Sequence, residues 1–244
     1  MKELLIQGAA ELGIRLNERQ TAQLLEYAAL LKEWNGKMNL TAITDDEGIA
    51  VKHFLDSMTA VGTGHVKGRV IDVGTGAGFP GVVLKIVRPD IRLTLLDSLQ
   101  KRLMFLEAVA ERLALENVEF VHARAEDGGR RMREQFDTVV SRAVANMTVL
   151  SELCLPFLKP GGRFLALKGP LADEELEGAK RAIHILGGAV ESVFEAKIPF
   201  SELSHRIIIV KKVRQTPMQY PRKAGIPSKS PIDTCYNLKK SAKK

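Results

Sequence analysis

The apolar positions in the first part of the chain recur with helical spacing. Leu24, Ala28 and Leu31 fall three or four residues apart, which places them on one face of a helix. Asn17 followed by Gln20 three residues later is the pattern of a capping box, so this helix is expected to begin there. The predicted helices of this part are 3–12, 17–36 and a short helix that carries 53–57.

From Arg69 onward the pattern changes to short apolar runs that alternate with helical segments. The predicted strands are 70–73, 93–96, 118–121, 138–140 and 164–167, and the predicted helices are 81–87, 99–114, 126–134, 146–157 and 172–186. This alternation is typical of a doubly wound α/β fold, in which helices cover both faces of a parallel sheet. Two further strand candidates, 189–197 and 205–213, follow one another without a helix, so they should pair antiparallel at one edge.

These elements predict one sizeable core with additions at both ends. A chain of 244 residues is long enough for one such core and a small appendage. We expect an N-terminal helical cap over 1–66, an α/β domain over 67–213 and a C-terminal arm over 214–244.

Composition limits the class of protein and its compartment. With 45% hydrophobic and 27% charged residues, the chain falls among globular proteins rather than fibrous or disordered ones. No apolar run approaches the ~20 residues that span a bilayer. Cys154 and Cys235 form no Cys-x-x-Cys pair, which argues against a disulfide framework and against a zinc site. We expect a cytoplasmic monomer that binds neither membrane nor metal.

Charge is concentrated at the C-terminal end. Residues 211–244 hold ten Lys or Arg and one acid, Asp233, a formal charge of +9, so residues 1–210 carry −2. Four of the ten prolines also fall there, which predicts an irregular basic arm. Such an arm suits a phosphate backbone, although a merely solubilising terminus has the same composition. The candidate RNA-binding residues are Lys211, Lys212, Arg214, Arg222 and Lys223.

A glycine-rich turn follows the first predicted strand and is the most informative segment. Glycines at Gly74, Gly76 and Gly78 let the backbone approach a ligand closely. A dinucleotide fingerprint would place its third glycine where Phe79 stands, so a nicotinamide cofactor is disfavoured. Asp72 ahead of the three glycines resembles instead the first motif of class I methyltransferases, which cradles S-adenosylmethionine.

Two further positions follow neighbouring strands. Asp97 ends the second strand, 23 positions after Gly74, where a carboxylate can accept both hydroxyls of a ribose. Asp97 or Ser98 could also cap the next helix, but the position at the end of the strand favours the ribose role for Asp97. Ala125 and Glu126 follow the third strand, where a backbone N–H and a carboxylate suit an adenine edge, although Glu126 also makes an ordinary acidic helix start.

Taken together, the chain closely resembles the guanine-N7 methyltransferases of bacterial small-subunit ribosomal RNA, also called glucose-inhibited division protein B. The matching segments are Trp34-Asn35, Asn39-Leu40-Thr41-Ala42-Ile43, His53-Phe54-Leu55-Asp56-Ser57, Asp72 through Gly81, Leu96-Asp97-Ser98 with Lys101-Arg102, Arg124-Ala125-Glu126, Ser141-Arg142-Ala143, Lys168-Gly169 and Tyr220-Pro221-Arg222-Lys223 with Gly225. The resemblance implies cofactor contacts at Gly74, Phe79, Ala125, Glu126 and Arg142. It also implies a guanine of 16S rRNA, at position 527, as the substrate, either in free RNA or in a small-subunit ribonucleoprotein.

The chemistry of this substrate explains why the sequence has no obvious catalytic dyad. Guanine N7 carries an in-plane lone pair and needs no deprotonation before it attacks a sulfonium methyl group. Methyltransferases of exocyclic amines would be expected to carry an Asn/Asp-Pro-Pro-aromatic motif after the fourth strand, where this chain has Ser141-Arg142-Ala143. Arg142 is therefore the candidate catalytic residue, able to donate to guanine O6 or to a phosphate, unless it is an ordinary ion-paired arginine.

Other interpretations of the chain remain open at this stage. His53 and Asp56 could form an acid–base pair, but their spacing favours a hydrogen bond on a helix surface. His205 is expected to be a partly buried structural residue. A methyltransferase of small molecules or proteins would not need the basic tail. A ribosome-assembly factor that has lost catalysis would show degraded glycines, and here all are present.

Overall fold

The computed structural model describes residues 1–142, 144–169, 171–202 and 204–232. In this part of the chain seven strands form one sheet in the order β3-β2-β1-β4-β5-β7-β6. The strands are β1 (Arg69–Val73), β2 (Arg92–Asp97), β3 (Val118–His122), β4 (Phe136–Arg142), β5 (Leu158–Lys168), β6 (Gly188–Lys197) and β7 (Ser204–Lys212). Strands β1 to β5 pair in parallel, whereas β7 is antiparallel to both β5 and β6. The doubly wound α/β fold and its antiparallel edge pair are confirmed.

Helices cover both faces of this sheet. They are α1 (Lys2–Glu11), α2 (Glu18–Met38), α3 (Asp46–Gly48), α4 (Asp56–Met58), α5 (Gly81–Val87), α6 (Gln100–Arg112), α7 (Ala125–Arg131), α8 (Met147–Cys154), α9 (Ala172–Ile185) and α10 (Ile226–Lys229). A π-helix (Ile49–Leu55) joins α3 to α4, and short 3₁₀ helices follow at Thr59–Thr63 and Leu155–Phe157. Across the described ranges, no helix is both long and apolar enough to cross a bilayer.

Alternation along the strands divides the core between the two faces. Val70 of β1 packs with the N-terminal helices, whereas the next residue, Ile71, packs against α8 and α9. Leu24 and Tyr27 of α2 belong to the same core as Val70, so the helical cap is continuous with the α/β domain. At the start of α2 the predicted capping box is confirmed, since Asn17 Oδ1 accepts from the Gln20 N–H at 2.8 Å.

The sheet order reverses beside β1, which has β2 on one side and β4 on the other. Helices that follow β1 and β4 therefore pack on opposite faces, and a crevice opens outside the carboxyl ends of these strands. The segments that follow β1, β2, β3 and β4 meet at this edge. The four candidate segments of the sequence thus come from adjacent strands.

Residues 214–232 are irregular apart from α10, as expected, but they pack against the domain instead of forming a free arm. Thr216 and Pro227 are buried against the domain, and α10 forms a short helical turn. The reason is that side chains of the domain hold the backbone of this segment, so its prolines do not need a regular ladder of hydrogen bonds. The remainder of the predicted arm, 233–244, lies outside the described residues.

Candidate active site

The crevice at the switch between β1 and β4 has a volume of about 530 Å³. It collects seven of the nine residues predicted to touch a cofactor. Those seven are Gly74, Gly76, Phe79, Asp97, Ala125, Glu126 and Arg142. Thr41, His53, Arg102, Gly225 and Ser228 also line it, and none of these was predicted to bind a cofactor. The sequence therefore located the crevice correctly but underestimated how many segments build it.

The glycine turn forms one wall of the crevice. Gly74 and Gly76 have φ angles of +74° and +60°, a conformation in which a side chain would be strained. The N–H groups of Gly74 and Thr75 both donate to the carbonyl oxygen of Leu96, at 2.9 and 3.1 Å. These bonds fasten the turn to the end of β2, while the side of Gly76 where a Cβ would stand remains open.

Asp72 does not line the crevice, which corrects the expectation that it contacts the cofactor. Its carboxylate is fully buried beneath the turn, where Oδ2 accepts from Thr75 Oγ1 at 2.7 Å and from the Gly81 N–H at 2.9 Å. Burial raises the pKa of Asp72 to about 6. Among the described residues, Oδ1 has no hydrogen-bond partner. Asp72 therefore shapes the turn from below.

Gly78 does not line the crevice either, which corrects the expectation that it contacts the cofactor. An added Cβ would collide with the Tyr27 hydroxyl and with the side chains of Leu106 and Val82. Tyr27 in turn donates to the carbonyl of Ala77 within the turn. Gly78 is thus required for close packing of the turn against α2.

Asp97 lines the crevice and also organises it. Its Oδ1 accepts from the Leu99 N–H at 2.9 Å, but it does not cap α6, whose N-cap residue is Leu99 and has no side-chain cap. Its Oδ2 accepts from the Gly76 N–H at 2.9 Å and lies 3.3 Å from Arg102 Nη1. A carboxylate oxygen has two lone pairs, so these bonds leave acceptor capacity for a ligand hydroxyl. The side chain therefore joins the glycine turn to the candidate ribose position.

Glu126 occupies the opposite end of the same wall. It is largely buried at the start of α7, after Ala125, and its Oε1 accepts from the Gly225 N–H at 2.8 Å. The partner comes from the C-terminal segment, 99 positions later in the chain. The C-terminal segment therefore reaches the part of the crevice proposed for a cofactor.

Arg142 lies across the crevice from Asp97 in a network of buried groups. Its Nη1 donates to Asp56 Oδ2 at 2.5 Å and to the Lys52 carbonyl at 3.1 Å. The other carboxylate oxygen of Asp56 pairs with His205 Nδ1 at 2.7 Å. Asp56 is 1% exposed, and although burial acts to raise its pKa, the hydrogen bond from His205 and the charge of Arg142 hold that pKa below its usual value. The carboxylate thus fixes the position of the guanidinium.

Aromatic stacking completes this side of the crevice. The Phe79 ring stacks on His53, with ring centroids 4.4 Å apart, and the Arg142 guanidinium lies 5.1 Å from the centroid of the Phe79 ring. His53 also bonds to Thr41 Oγ1 at 2.8 Å and lies 3.3 Å from Arg142 Nη2. Burial first and the Arg142 charge second lower the pKa of His53 to about 4, so its imidazole is neutral near pH 7.

The expected hydrogen bond between His53 and Asp56 on a helix surface is wrong. Both side chains are buried, and they meet through Arg142. A π-helical turn at Ile49–Leu55 carries His53, so the usual spacing of helical neighbours does not apply. His205 contributes to the same network from β7, which sequence spacing alone gave no means of detecting.

Two of the five predicted RNA-binding residues are committed to the fold. Lys212 is fully buried at the end of β7, where Nζ donates to the Leu155 carbonyl at 2.5 Å and to Thr216 Oγ1 at 2.7 Å. Burial lowers the pKa of Lys212 to about 8. Arg222 is paired with Glu152, whose side chain is 1% exposed. These two contacts correct the view that both cations are free to meet phosphates.

The other three predicted residues remain at the surface. Lys211 and Lys223 are exposed, and Arg214 is exposed while donating to the His184 carbonyl. Strand alternation explains the contrast along β7, because adjacent residues such as Lys211 and Lys212 point to opposite faces. Within the described part of the chain, no cluster of three His, Cys, Asp or Glu side chains is arranged to hold a metal.

Comparison with solved structures identifies the fold. The antibiotic-resistance methyltransferase Kmr aligns with a TM-score of 0.51 at 17% identity, over 63% of this chain and 90% of its own. TYW2 of M. jannaschii, solved in complex with AdoMet, aligns with a TM-score of 0.52 at 15% identity, over 70% of this chain and 77% of its own. The shared fold is that of class I methyltransferases.

Comparison of sequences identifies the family. The family model described as rRNA small subunit methyltransferase G, or GidB, matches residues 20–204. A relative from Alkaliphilus oremlandii, named ribosomal RNA small subunit methyltransferase G, is 52% identical over 95% of this chain and 99% of its own length. The protein of that name from Acetivibrio thermocellus is 51% identical over 95% of this chain and 97% of its own length. The family expected from the sequence motifs is confirmed: the chain belongs to the rRNA small subunit methyltransferase G family and is a methyltransferase.

Proposed function

We propose that the chain transfers a methyl group from S-adenosylmethionine to N7 of a guanine in 16S rRNA, at position 527 by family resemblance. The observation that carries the proposal is that a single crevice joins the glycine turn and Asp97 on one side to the Arg142 network on the other. A cofactor and a base can therefore meet in one cavity. We propose that the enzyme acts in the cytoplasm as a monomer on the small-subunit RNA or its ribonucleoprotein.

The residues on the first side fit S-adenosylmethionine. The open face of Gly76 allows close approach to the backbone, and Asp97 has acceptor capacity for a ribose hydroxyl. Glu126 and the backbone at Ala125 border the end of the crevice that suits an adenine ring. Gly74 and Phe79 line the remaining part of this wall, beside the space for the methionine end.

The transfer requires alignment rather than proton removal. When bound, S-adenosylmethionine supplies an electrophilic methyl group on a sulfonium sulfur, and guanine N7 offers a free lone pair. The protein must hold N7 at about 3 Å from that methyl group, in line with the sulfur, and such positioning supplies a large part of the acceleration. A crevice whose histidine, His53, is neutral and hydrogen-bonded to Thr41 suits this chemistry, because no general base is needed.

Arg142 is the residue best placed to orient the guanine. Its hydrogen bonds to Asp56, Lys52 and His53 use three of the five N–H hydrogens of a guanidinium, which leaves donors for guanine O6 or a phosphate. The buried Asp56 carboxylate prevents the guanidinium from rotating freely. Its stacking on Phe79 fixes the plane in which those donors point.

Labelled methyl transfer tests the proposal directly. The protein is incubated with S-adenosylmethionine that carries a labelled methyl group and with 16S rRNA from cells that lack this gene. N7-methylguanosine is then mapped through its chemical lability to reduction and strand scission. We expect one labelled guanine, at position 527. Label on an exocyclic amine or on a ribose would contradict the N7 assignment, and label at another guanine would contradict the position alone.

A further inference from the structure

The C-terminal segment, defined here as residues 214–232, reaches the crevice. Gly225 and Ser228 are part of its lining, on the same side as Glu126. Both residues are exposed to the crevice rather than packed in a core. A segment that looked like an external arm therefore borders the space proposed for the cofactor.

The beginning of the segment is fixed by groups of the α/β domain. The Thr216 N–H donates to Glu134 Oε1 at 2.9 Å, and its hydroxyl donates to the Leu186 carbonyl at 2.7 Å. Arg133 donates to the carbonyls of Thr216 and Tyr220, the latter at 2.7 Å. The prolines keep this segment out of a regular ladder of backbone hydrogen bonds. The charged Arg133 side chain instead supplies the donors for these two carbonyls.

The middle of the segment carries the partner of a buried acid. Glu152 of α8 is 1% exposed and accepts from Arg222 Nε and Nη2, at 2.9 and 2.6 Å, and from the Arg222 backbone N–H at 2.8 Å. A buried carboxylate without a partner is strongly unfavourable. The buried Glu152 therefore requires this segment to stay docked on the α/β domain. Arg130 adds a further bond at 3.0 Å to the Pro221 carbonyl.

The end of the segment acts on the crevice itself. Gly225 adopts a φ of +81°, which turns its N–H toward Glu126 Oε1 at 2.8 Å. Glu126 is the carboxylate at the adenine end of the proposed cofactor site. Its orientation consequently depends on a backbone group that the C-terminal segment supplies.

We infer that the C-terminal segment forms one wall of the S-adenosylmethionine pocket. Gly225 and Ser228 border the adenine end, and the Gly225 N–H positions Glu126. This inference rests on the proposed function, because it assumes that the cofactor occupies this crevice. The segment therefore serves the cofactor site, and its exposed cations Arg214, Lys223 and Lys229 remain available to meet RNA.

A matched pair of substitutions tests the wall. Ser228 and Ser230 are both exposed serines of the segment, but only Ser228 lines the crevice. Ser228→Phe should place a ring in the adenine end and weaken S-adenosylhomocysteine binding at least tenfold in calorimetry. Ser230→Phe should leave the affinity within twofold. Thermal unfolding of both variants serves as the check that each is folded. Equal affinities for the two variants would overturn the inference.

Hydrogen exchange gives a readout that needs no substitution. With S-adenosylhomocysteine bound, amides of residues 222–230 should exchange more slowly, whereas those of the distant strand β6 should not change. Unchanged exchange in 222–230 despite measured binding would overturn the inference and leave the proposed function intact. If the unmodified chain binds no S-adenosylhomocysteine, the proposed function fails and the inference fails with it.

Discussion

The two sides of the crevice are built by different means. On the side of the glycine turn, much of the wall is formed by consecutive residues that follow β1, and backbone N–H groups make most of the contacts. On the opposite side, Arg142, Asp56, His53 and His205 meet through side chains, and the Asp56–His205 contact joins residues 149 positions apart.

This difference determines how each side responds to change. A backbone wall tolerates side-chain variation as long as its glycines keep their positive φ angles. The Arg142 side depends on a buried ion pair, and removing one partner leaves the other charge buried. We therefore expect substitutions to separate cofactor binding from methyl transfer.

The largest effect is expected from Arg142→Ala. Loss of the guanidinium removes the group that orients the guanine, so the single-turnover rate should fall by about 100- to 1,000-fold. RNA affinity should fall far less. Arg92→Ala is the control, because Arg92 is exposed at the start of β2, away from the crevice. A folded Arg142→Ala variant that transfers methyl groups near the normal rate would remove the distinction between the two sides.

A smaller effect is expected from Asp97→Ala, on cofactor affinity. The ribose loses charge-assisted hydrogen bonds, so binding should weaken by about 2 kcal/mol, measured by calorimetry with S-adenosylmethionine. Because Asp97 also holds the Gly76 N–H, the turn itself loses a bond that the sequence did not reveal. Asp90→Ala, which alters an exposed acid paired with Arg88, is the control. An unchanged affinity in the folded Asp97 variant would reject the ribose assignment.

The pH dependence of stability sharpens the description of the glycine-turn side. The pKa of Asp72 is raised from 3.8 to about 6, so the folded state binds more protons than the unfolded state between these values. Its contribution to stability is therefore greatest below pH 3.8 and declines as pH rises to about 6. Relative to Asp72→Asn, the wild-type protein should gain about 1 kcal/mol when pH falls from 7.5 to 5. Urea unfolding at both pH values measures the free energy of unfolding of the two proteins. An equal difference between wild type and Asp72→Asn at the two pH values would contradict burial as the cause of the raised pKa.

The smallest effect is expected at the surface of the C-terminal segment. Replacing Lys223 and Lys229 together by Ala should flatten the logarithmic salt dependence of RNA binding by one to two units, at ~0.7 to 0.9 per phosphate contact. Cofactor affinity should not change. The matched control replaces Lys2 and Lys180, exposed lysines of α1 and α9. An unaltered slope would mean that RNA contacts the protein elsewhere.

The sequence predicted the features that short segments encode. The order and positions of the strands, the capping box at Asn17 and the position of the glycine turn follow from local periodicity and turn chemistry, and the structure agrees with them. The exception is β5, which begins at Leu158, six residues before the start predicted for it. Asp97 was also found, since its position after β2 is fixed by topology. These predictions need only the nearest neighbours along the chain.

Features that depend on distant partners could not be predicted in this way. The burial of Asp56 between Arg142 and His205 requires the register of β7 against β5. As a basic residue in a basic tail, Arg222 was expected to contact RNA, but in the structure it forms an ion pair with the buried Glu152. A signal for this docking was present in the sequence, in the matched motif Tyr220-Pro221-Arg222-Lys223 with Gly225. An arm that acts only through its charge would not need such a motif.

The most direct test compares Asp97→Ala with Arg142→Lys at saturating S-adenosylmethionine, using single-turnover methyl transfer to 16S rRNA. A lysine keeps the charge but lacks the planar fork that orients a base. We predict that saturation restores Asp97→Ala to within a few-fold of the wild-type rate, while Arg142→Lys stays about 100-fold slower. Recovery of Arg142→Lys at saturating cofactor would contradict the claim that one side of the crevice binds the cofactor and the other aligns the guanine.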